Sequence, residues 1–223
     1  MIDKTIPMIG LMFRSDMTDA YEYPDPVLPE GFHFENYNGS EEQKIQWAQI
    51  FDSVGLGAGS GEKAVERFNR EFCEQEDLAK ERVIFIVTDD GKYVGTCTAW
   101  QHLHIREGRG TLHWLGVRPE YQKYGLGRAL VEKCLYIFKT QLPGLPVYLA
   151  TQSTSHKAIC LYIKKGFYPI YWTEETKANY EKSVEILNGV MREAEYKIFA
   201  SYARDESNLD KEWAEKQKAQ NNK

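Results

Sequence analysis

The stretch RPEYQKYGLGRAL, residues 118–130, decides how this chain is read. It follows one apolar run and precedes another, and it packs Gly125 and Gly127 around Leu126. Glycine weakens strands and helices alike, because it has the most backbone freedom to lose, so the pair marks a turn that needs bare backbone. A strand that passes through such a loop into a helix presents several N–H groups at the helix's positive end, where phosphate oxygens bind well. Two familiar phosphate loops do not match. A P-loop needs Lys-Ser/Thr after its last glycine and a dinucleotide fingerprint needs GxGxxG, whereas Arg128 and Ala129 follow Gly127.

The flanks supply the rest of a fold. Upstream, RVIFIV and YVGTCTAWQ read as a hairpin closed by Asp90-Gly91, and GRGTLHWLGV is a third strand leading into the loop. Downstream, Leu130, Val131, Cys134, Leu135 and Phe138 fall on one face of a helix. PVYLATQ is then a strand, and Thr154 or Ser155 is placed to cap a helix that carries Ile159, Tyr162 and Ile163 and closes at Gly166. FYPIYWT is one more strand. Ser40 is an N-cap for a helix over Glu41 to Val54, and a second helix beyond Ser60 carries Val65, Phe68 and Phe72 to about Leu78. The proline-rich start makes residues 1–31 an extended arm, with the core domain over 32–173. Tyr180, Val184, Leu187, Met191, Ile198 and Tyr202 recur at helical spacing, so 174–223 is a helical extension, single or paired, with a polar tail.

The whole chain sets limits on function. Its 223 residues suit one domain with an extension, and 42% hydrophobic with 27% charged residues is ordinary globular composition. A net charge of -5 argues against a nucleic-acid binder that works by neutralising phosphates. The four cysteines, Cys73, Cys97, Cys134 and Cys160, form no CxxC pair, which points away from a metal centre and toward a reduced, cytoplasmic setting. No run approaches the roughly 18 apolar residues that would span a bilayer, so no membrane partner is expected.

The order helix, helix, hairpin, strand, loop, helix, strand, helix ending LYIKKGF, strand resembles the GCN5-related N-acetyltransferases over roughly residues 32–172. Their cofactor loop, Gln or Arg, two residues, Gly, one residue, Gly or Ala, stands here as Gln122, Lys123, Tyr124, Gly125, Leu126, Gly127. The resemblance implies an α/β (α+β) fold with a mixed central sheet of about six to seven strands flanked by helices. It implies acetyl-coenzyme A (acetyl-CoA) as cofactor, its pyrophosphate held by the amides from Gln122 to Arg128. The strand ending Leu115, Gly116, Val117 would hydrogen-bond the pantetheine arm, and an amide near Val117 would steady the thioester oxygen. Ser155 joins the cofactor set, with Lys123, Arg128 and Lys157 as ionic contacts.

Acetyl transfer to an amine needs an unprotonated nucleophile and a proton for the departing thiolate. Tyr162 stands where many family members keep a tyrosine as general acid, and a phenol is protonated at neutral pH. The family's usual glutamate base falls at Thr111, which cannot serve. LHWLGV looks like the arrangement in arylalkylamine N-acetyltransferases, which makes His113 the candidate base, with His102 and His104 behind it. On a regular strand, residues 111, 113, 115 and 117 share a face. The acceptor is a small-molecule or peptide amine, and Phe51, Phe68 and the GLGAGSGE loop are placed to line its pocket. Trp100, Trp114 and Trp172 are candidate pocket walls or core. Two departures stand out: TQSTSHK replaces the usual asparagine, and the customary final strand gives way to a helix. That helix is placed to cover a sheet edge, swap between subunits or make a homodimer interface. The competing reading is a non-catalytic acyl-CoA-binding or sensing domain, which would need neither Tyr162 nor His113.

Overall fold

Inside the proline-bounded start of the chain, Leu11, Phe13 and Ser15 alternate with more exposed neighbours, and Gly10–Ser15 lies as a strand, β1. The computed structural model describes residues 2–101 and 109–208, and after β1 come β2 (Phe32–Asn36), α1 (Glu41–Ser53), α2 (Glu62–Phe72), α3 (Glu76–Arg82) and β3 (Val83–Thr88). Then follow β4 (Tyr93–Gln101), β5 (Gly110–Val117), α4 (Leu126–Gln141), β6 (Val147–Gln152) and α5 (His156–Lys164). β7 (Tyr168–Tyr171), α6 (Glu174–Leu187), α7 (Glu193–Ser201) and β8 (Arg204–Asp205) complete the order. These elements fall into two compact units, Met17–Val147 and a second that joins Asp3–Asp16 to the chain from Tyr148 onward.

The first unit is an antiparallel meander, β2-β3-β4-β5, in which each strand pairs with its neighbour in sequence. β3 is buried along its whole length, so helices must cover both faces. On one face Trp47, Ile50 and Phe51 of α1 and Phe68 and Phe72 of α2 pack with Phe85 and Trp100. On the other, α4 buries Leu130, Val131, Cys134, Leu135 and Phe138, the stripe its spacing predicts. Ser40 caps α1 as expected, its hydroxyl oxygen accepting the Gln43 N–H at 3.3 Å. The helix expected from Ser60 to Leu78 breaks at Cys73–Gln75, a 3-10 turn between α2 and α3.

The second unit has the strand order β6-β1-β7-β8. β1 therefore enters between β6 and β7, antiparallel to β7 with Met12 opposite Ile170, and the stretch read as an arm holds a strand of this sheet. β8 adds parallel to β7. Side chains staple the ends together: Arg14 pairs with Asp16 and Glu206 at 2.7 Å each, and Arg204 pairs with Asp16 at 3.0 Å. Tyr168 donates its hydroxyl to Asp16 at 2.8 Å. Among the described residues the C-terminal helical stretch is a pair, and α6 opens on a capping box in which Thr173 and Thr176 exchange hydrogen bonds. Phe199, fully buried on α7, stacks on Phe13 at 6.1 Å, whereas Ile198 and Tyr202, expected to face inward, are exposed.

Candidate active site

The strand that carries the candidate base is not regular. Thr96 pairs with Gly116 and Thr98 with His113, so Cys97 alone stands opposite Trp114 and Leu115. This β-bulge is made by Trp114, whose φ of 52° lies in the left-handed region. A bulky residue there stores about 1–2 kcal/mol of strain that its surroundings must offset. The bulge corrects the expectation that residues 111, 113, 115 and 117 share a face. His113 and Gly116 look toward the first two helices, and a Cβ on Gly116 would come within 2.8 Å of the Phe51 ring. Val117 turns the other way, its methyl 3.7 Å from where a Gly127 Cβ would lie.

Glu71 of α2 reaches both bulge residues. Its Oε2 lies 3.2 Å from His113 Nε2 and 3.3 Å from Trp114 Nε1, and its Oε1 accepts from Arg67 Nε at 3.1 Å. The hydrogen bond with His113, helped by the Trp114 indole and by Arg67, outweighs burial and holds the Glu71 carboxyl at about 2. An ionised carboxylate only accepts, so His113 Nε2 is the donor in this contact. Sequence reading misses Glu71 because its partner is 42 residues away; the one local sign is the Arg67–Glu71 pair at helical spacing. The aromatic residues weighed as pocket walls are largely core: Trp100 is buried, and Trp114 packs against Trp47 and Phe51.

Beyond β5 the chain is tied down before it turns. The Arg118 N–H donates to Val94 O at 2.8 Å, and the Gln122 side chain donates back to Val117 O at 3.0 Å. The Gln122 N–H, expected among the phosphate donors, is spent on Pro119 O at 3.3 Å, which removes it from that set. Lys123, at φ 78°, and Gly125, at φ 80°, then turn the backbone into α4. Gly125 is the N-cap with no side-chain partner, and the first bond into the helix is from Ala129 N–H to Gly125 O at 3.0 Å. Among the described residues the amides from Lys123 to Arg128 meet no protein acceptor. The only nearby atom a Gly127 Cβ would touch is Val117 Cγ2, at ordinary contact distance, so the protein's own packing does not demand glycine there. Leu126 is buried and anchors the turn, while Lys123, Tyr124 and Arg128 are exposed at its rim. A row of donors with room above it and cations beside it suits a diphosphate.

The remaining predicted residues lie in the second unit. Tyr162 is buried on α5, its ring 6.0 Å from Phe167. Ser155 precedes α5 but does not cap it; its hydroxyl accepts from Gln152 Nε2 at 3.0 Å, and Thr154 supplies no cap either. Lys157 is exposed. His113 and Tyr162 thus belong to different units, and His102 and His104 lie outside the described residues. Among the described residues no helix is long and apolar enough to cross a membrane.

Comparison with known proteins identifies the family and the fold of the chain. Residues 46–167, more than half of the chain, match the Acetyltransferase (GNAT) family. A mycothiol acetyltransferase of Streptomyces bingchenggensis is 27% identical over 151 residues, covering 66% of this chain and 46% of the relative. One from Streptomyces avermitilis is 36% identical over 84 residues, 37% of this chain and 26% of the relative. The chain spans about half the length of the curated relatives it matches. A GCN5-related N-acetyltransferase structure from Sphaerobacter thermophilus superposes with a TM-score of 0.58 at 20% identity, covering 74% of this chain and 49% of that one, and speaks for the fold. The strand, loop and helix that the sequence singled out lie within the matched region, and the chain belongs to the acetyltransferase (GNAT) family.

Proposed function

We propose that this protein moves an acetyl group from acetyl-coenzyme A to a primary amine, the amine attacking the thioester carbonyl carbon directly. The observation that carries the reading is the row of amides from Lys123 to Arg128 without protein acceptors, beside a Gly127 that the fold itself does not require. These donors, with Lys123 and Arg128, take the coenzyme's phosphates, and the strand end Leu115–Val117 takes its pantetheine arm. Relatives that bear the name mycothiol acetyltransferase support acetyl transfer as the chemistry.

Bound acetyl-CoA supplies an activated acyl group on a thiolate leaving group. In the step, a bond forms between the amine nitrogen and the acetyl carbon and the carbon–sulfur bond breaks. The amine's proton passes to His113, and Tyr162 gives its phenol proton to the departing thiolate; solvent then resets both. The acceptor is a small-molecule or peptide amine. Four unpaired thiols suit a reducing compartment such as the cytoplasm. Titration calorimetry with CoA, followed by release of free thiol with a panel of amines, tests the reading. Heat with CoA and turnover with at least one amine are expected, and Tyr162→Phe should lower kcat by at least about tenfold with the CoA affinity kept. The absence of heat with CoA overturns the cradle, and heat without turnover leaves the acyl-CoA-binding reading in its place.

A further inference from the structure

Trp100 and Trp114 pack into the core of the first unit, but Trp172 stands half-buried at a pocket of the second. The pocket gathers Thr151 from the carboxyl end of β6, Ile170 from that of β7, and Met12 from β1, which lies between them. Crevices at the carboxyl ends of sheet strands are where α/β folds hold their ligands. Thr176 and Asn179 of α6 complete the lining, and the Trp172 N–H donates to the Thr176 hydroxyl at 3.0 Å, which fixes the backbone that carries the indole. The sequence placed the acceptor against Phe51, Phe68 and the GLGAGSGE loop of the first unit. β1 and α6 lie outside the stretch that carries the family resemblance, so nothing in that stretch announces this pocket.

Size, charge and polarity define what fits. The volume is about 250 Å³, below the roughly 300–1,000 Å³ of sites for larger ligands, so it takes a single ring or a short alkyl chain. Among the described residues no charged side chain lines it, and a charge brought in would lose its water without gaining a counter-charge. Met12, Ile170 and Trp172 give apolar walls. The Thr176 hydroxyl is spent on the capping box, which leaves the Thr151 hydroxyl and the Asn179 amide for a guest's polar groups. A guest with many hydroxyls would leave most of them unpaired. We propose that this pocket holds the non-reacting body of the acceptor, which is therefore an amine on a compact, uncharged aromatic or alkyl group with one or two neutral polar groups at most. The proposal rests on the acetyl-transfer reading, whose acid, Tyr162, belongs to the same unit as the pocket. The amine itself finds no carboxylate among the lining residues, so only the body enters.

Turnover of the full chain with 2-phenylethylamine, spermidine and glucosamine tests the proposal. The first should exceed the other two by at least about tenfold in kcat/KM. Trp172→Ala should raise the KM for 2-phenylethylamine at least about fivefold, with CoA affinity kept within about twofold. If Trp172→Ala does not fold, Asn179→Phe, which fills the pocket from a half-buried helix position, should raise it likewise. A readout without turnover is the nitrogen-15 signal of the Trp172 indole, assigned from Trp172→Phe. It should move saturably with 2-phenylethanol, the same body without the amine, and stay fixed with spermidine. A preference for spermidine or glucosamine, a KM that neither variant changes, or a Trp172 signal indifferent to 2-phenylethanol overturns the proposal. Turnover with the wrong preference strikes the pocket alone, whereas no turnover with any amine strikes the acetyl-transfer reading itself.

Discussion

The two units reach similar layered packing by opposite routes. In the first, neighbours in sequence are neighbours in space: β2, β3, β4 and β5 pair in order, and α4 leaves through the loop that follows β5. The second is knitted from the two ends of the described chain, with β1 between β6 and β7 and with Arg14 gripping Glu206, 192 residues away. The loop that binds phosphate in our reading belongs to the locally built unit, where precise backbone geometry depends on few distant contacts. The second unit depends on them throughout.

That contrast can be broken or sharpened by substitution. Phe13→Ala should have the largest effect, because it empties a fully buried position of the inserted strand and its stack on Phe199. A loss of about 3–5 kcal/mol is expected in urea unfolding, and a loss under about 1 kcal/mol would show that β1 is dispensable to the second unit. Gly125→Val should come next, at about 1–2 kcal/mol, since a branched residue at φ 80° is strained wherever its side chain goes. Its distinguishing sign is a CoA affinity weakened more than about tenfold in calorimetry, as the amides beyond it lose their aim. Lost stability with unchanged affinity would detach the turn from ligand binding.

The smallest effect is acid sensitivity, read on one carboxylate in each unit. The His113 bond holds folded Glu71 at about 2, below its ordinary 4.5. Asp16 is also lowered: burial opposes this, but Tyr168, Arg14 and Arg204 outweigh it. In both cases the unfolded chain takes up protons first, so the stabilisation is complete above the ordinary carboxylate range and is lost as pH falls. Urea unfolding should show Glu71→Gln flattening the decline from about pH 4.5 toward 2, and Asp16→Asn flattening it below about 3.8, each by on the order of 1 kcal/mol. An acid slope that neither variant alters would place the sensitivity elsewhere.

The sequence was legible where structure is local. The Asp90-Gly91 hairpin, the Ser40 cap, the buried stripe of α4 and the loop from Gln122 to Gly127 each follow from residues within a few positions of one another. The bulge does not, because nothing in LHWLGV asks for a left-handed residue, and the contacts around Trp114 come from Glu71, Trp47 and Phe51 on other elements. β1 was hidden for a similar reason. Its alternation is short, Pro7 and Gly10 interrupt the apolar patch, and its partners lie more than a hundred residues downstream. At the far end, the chain breaks between α6 and α7 and restarts its helical phase, which is why Phe199 rather than Ile198 or Tyr202 enters the core.

The inserted strand also orders events in time. During synthesis Gly10–Ser15 emerges before either of the strands between which it will lie, and Ile170 follows Met12 only after the whole meander has been made. Until then its apolar side chains have no sheet to join, so the nascent chain must carry an unpaired β-segment while the meander matures. Among the described strands this one is therefore late to dock, and a chaperone that shields those few residues would act when the chain is most exposed to misassembly.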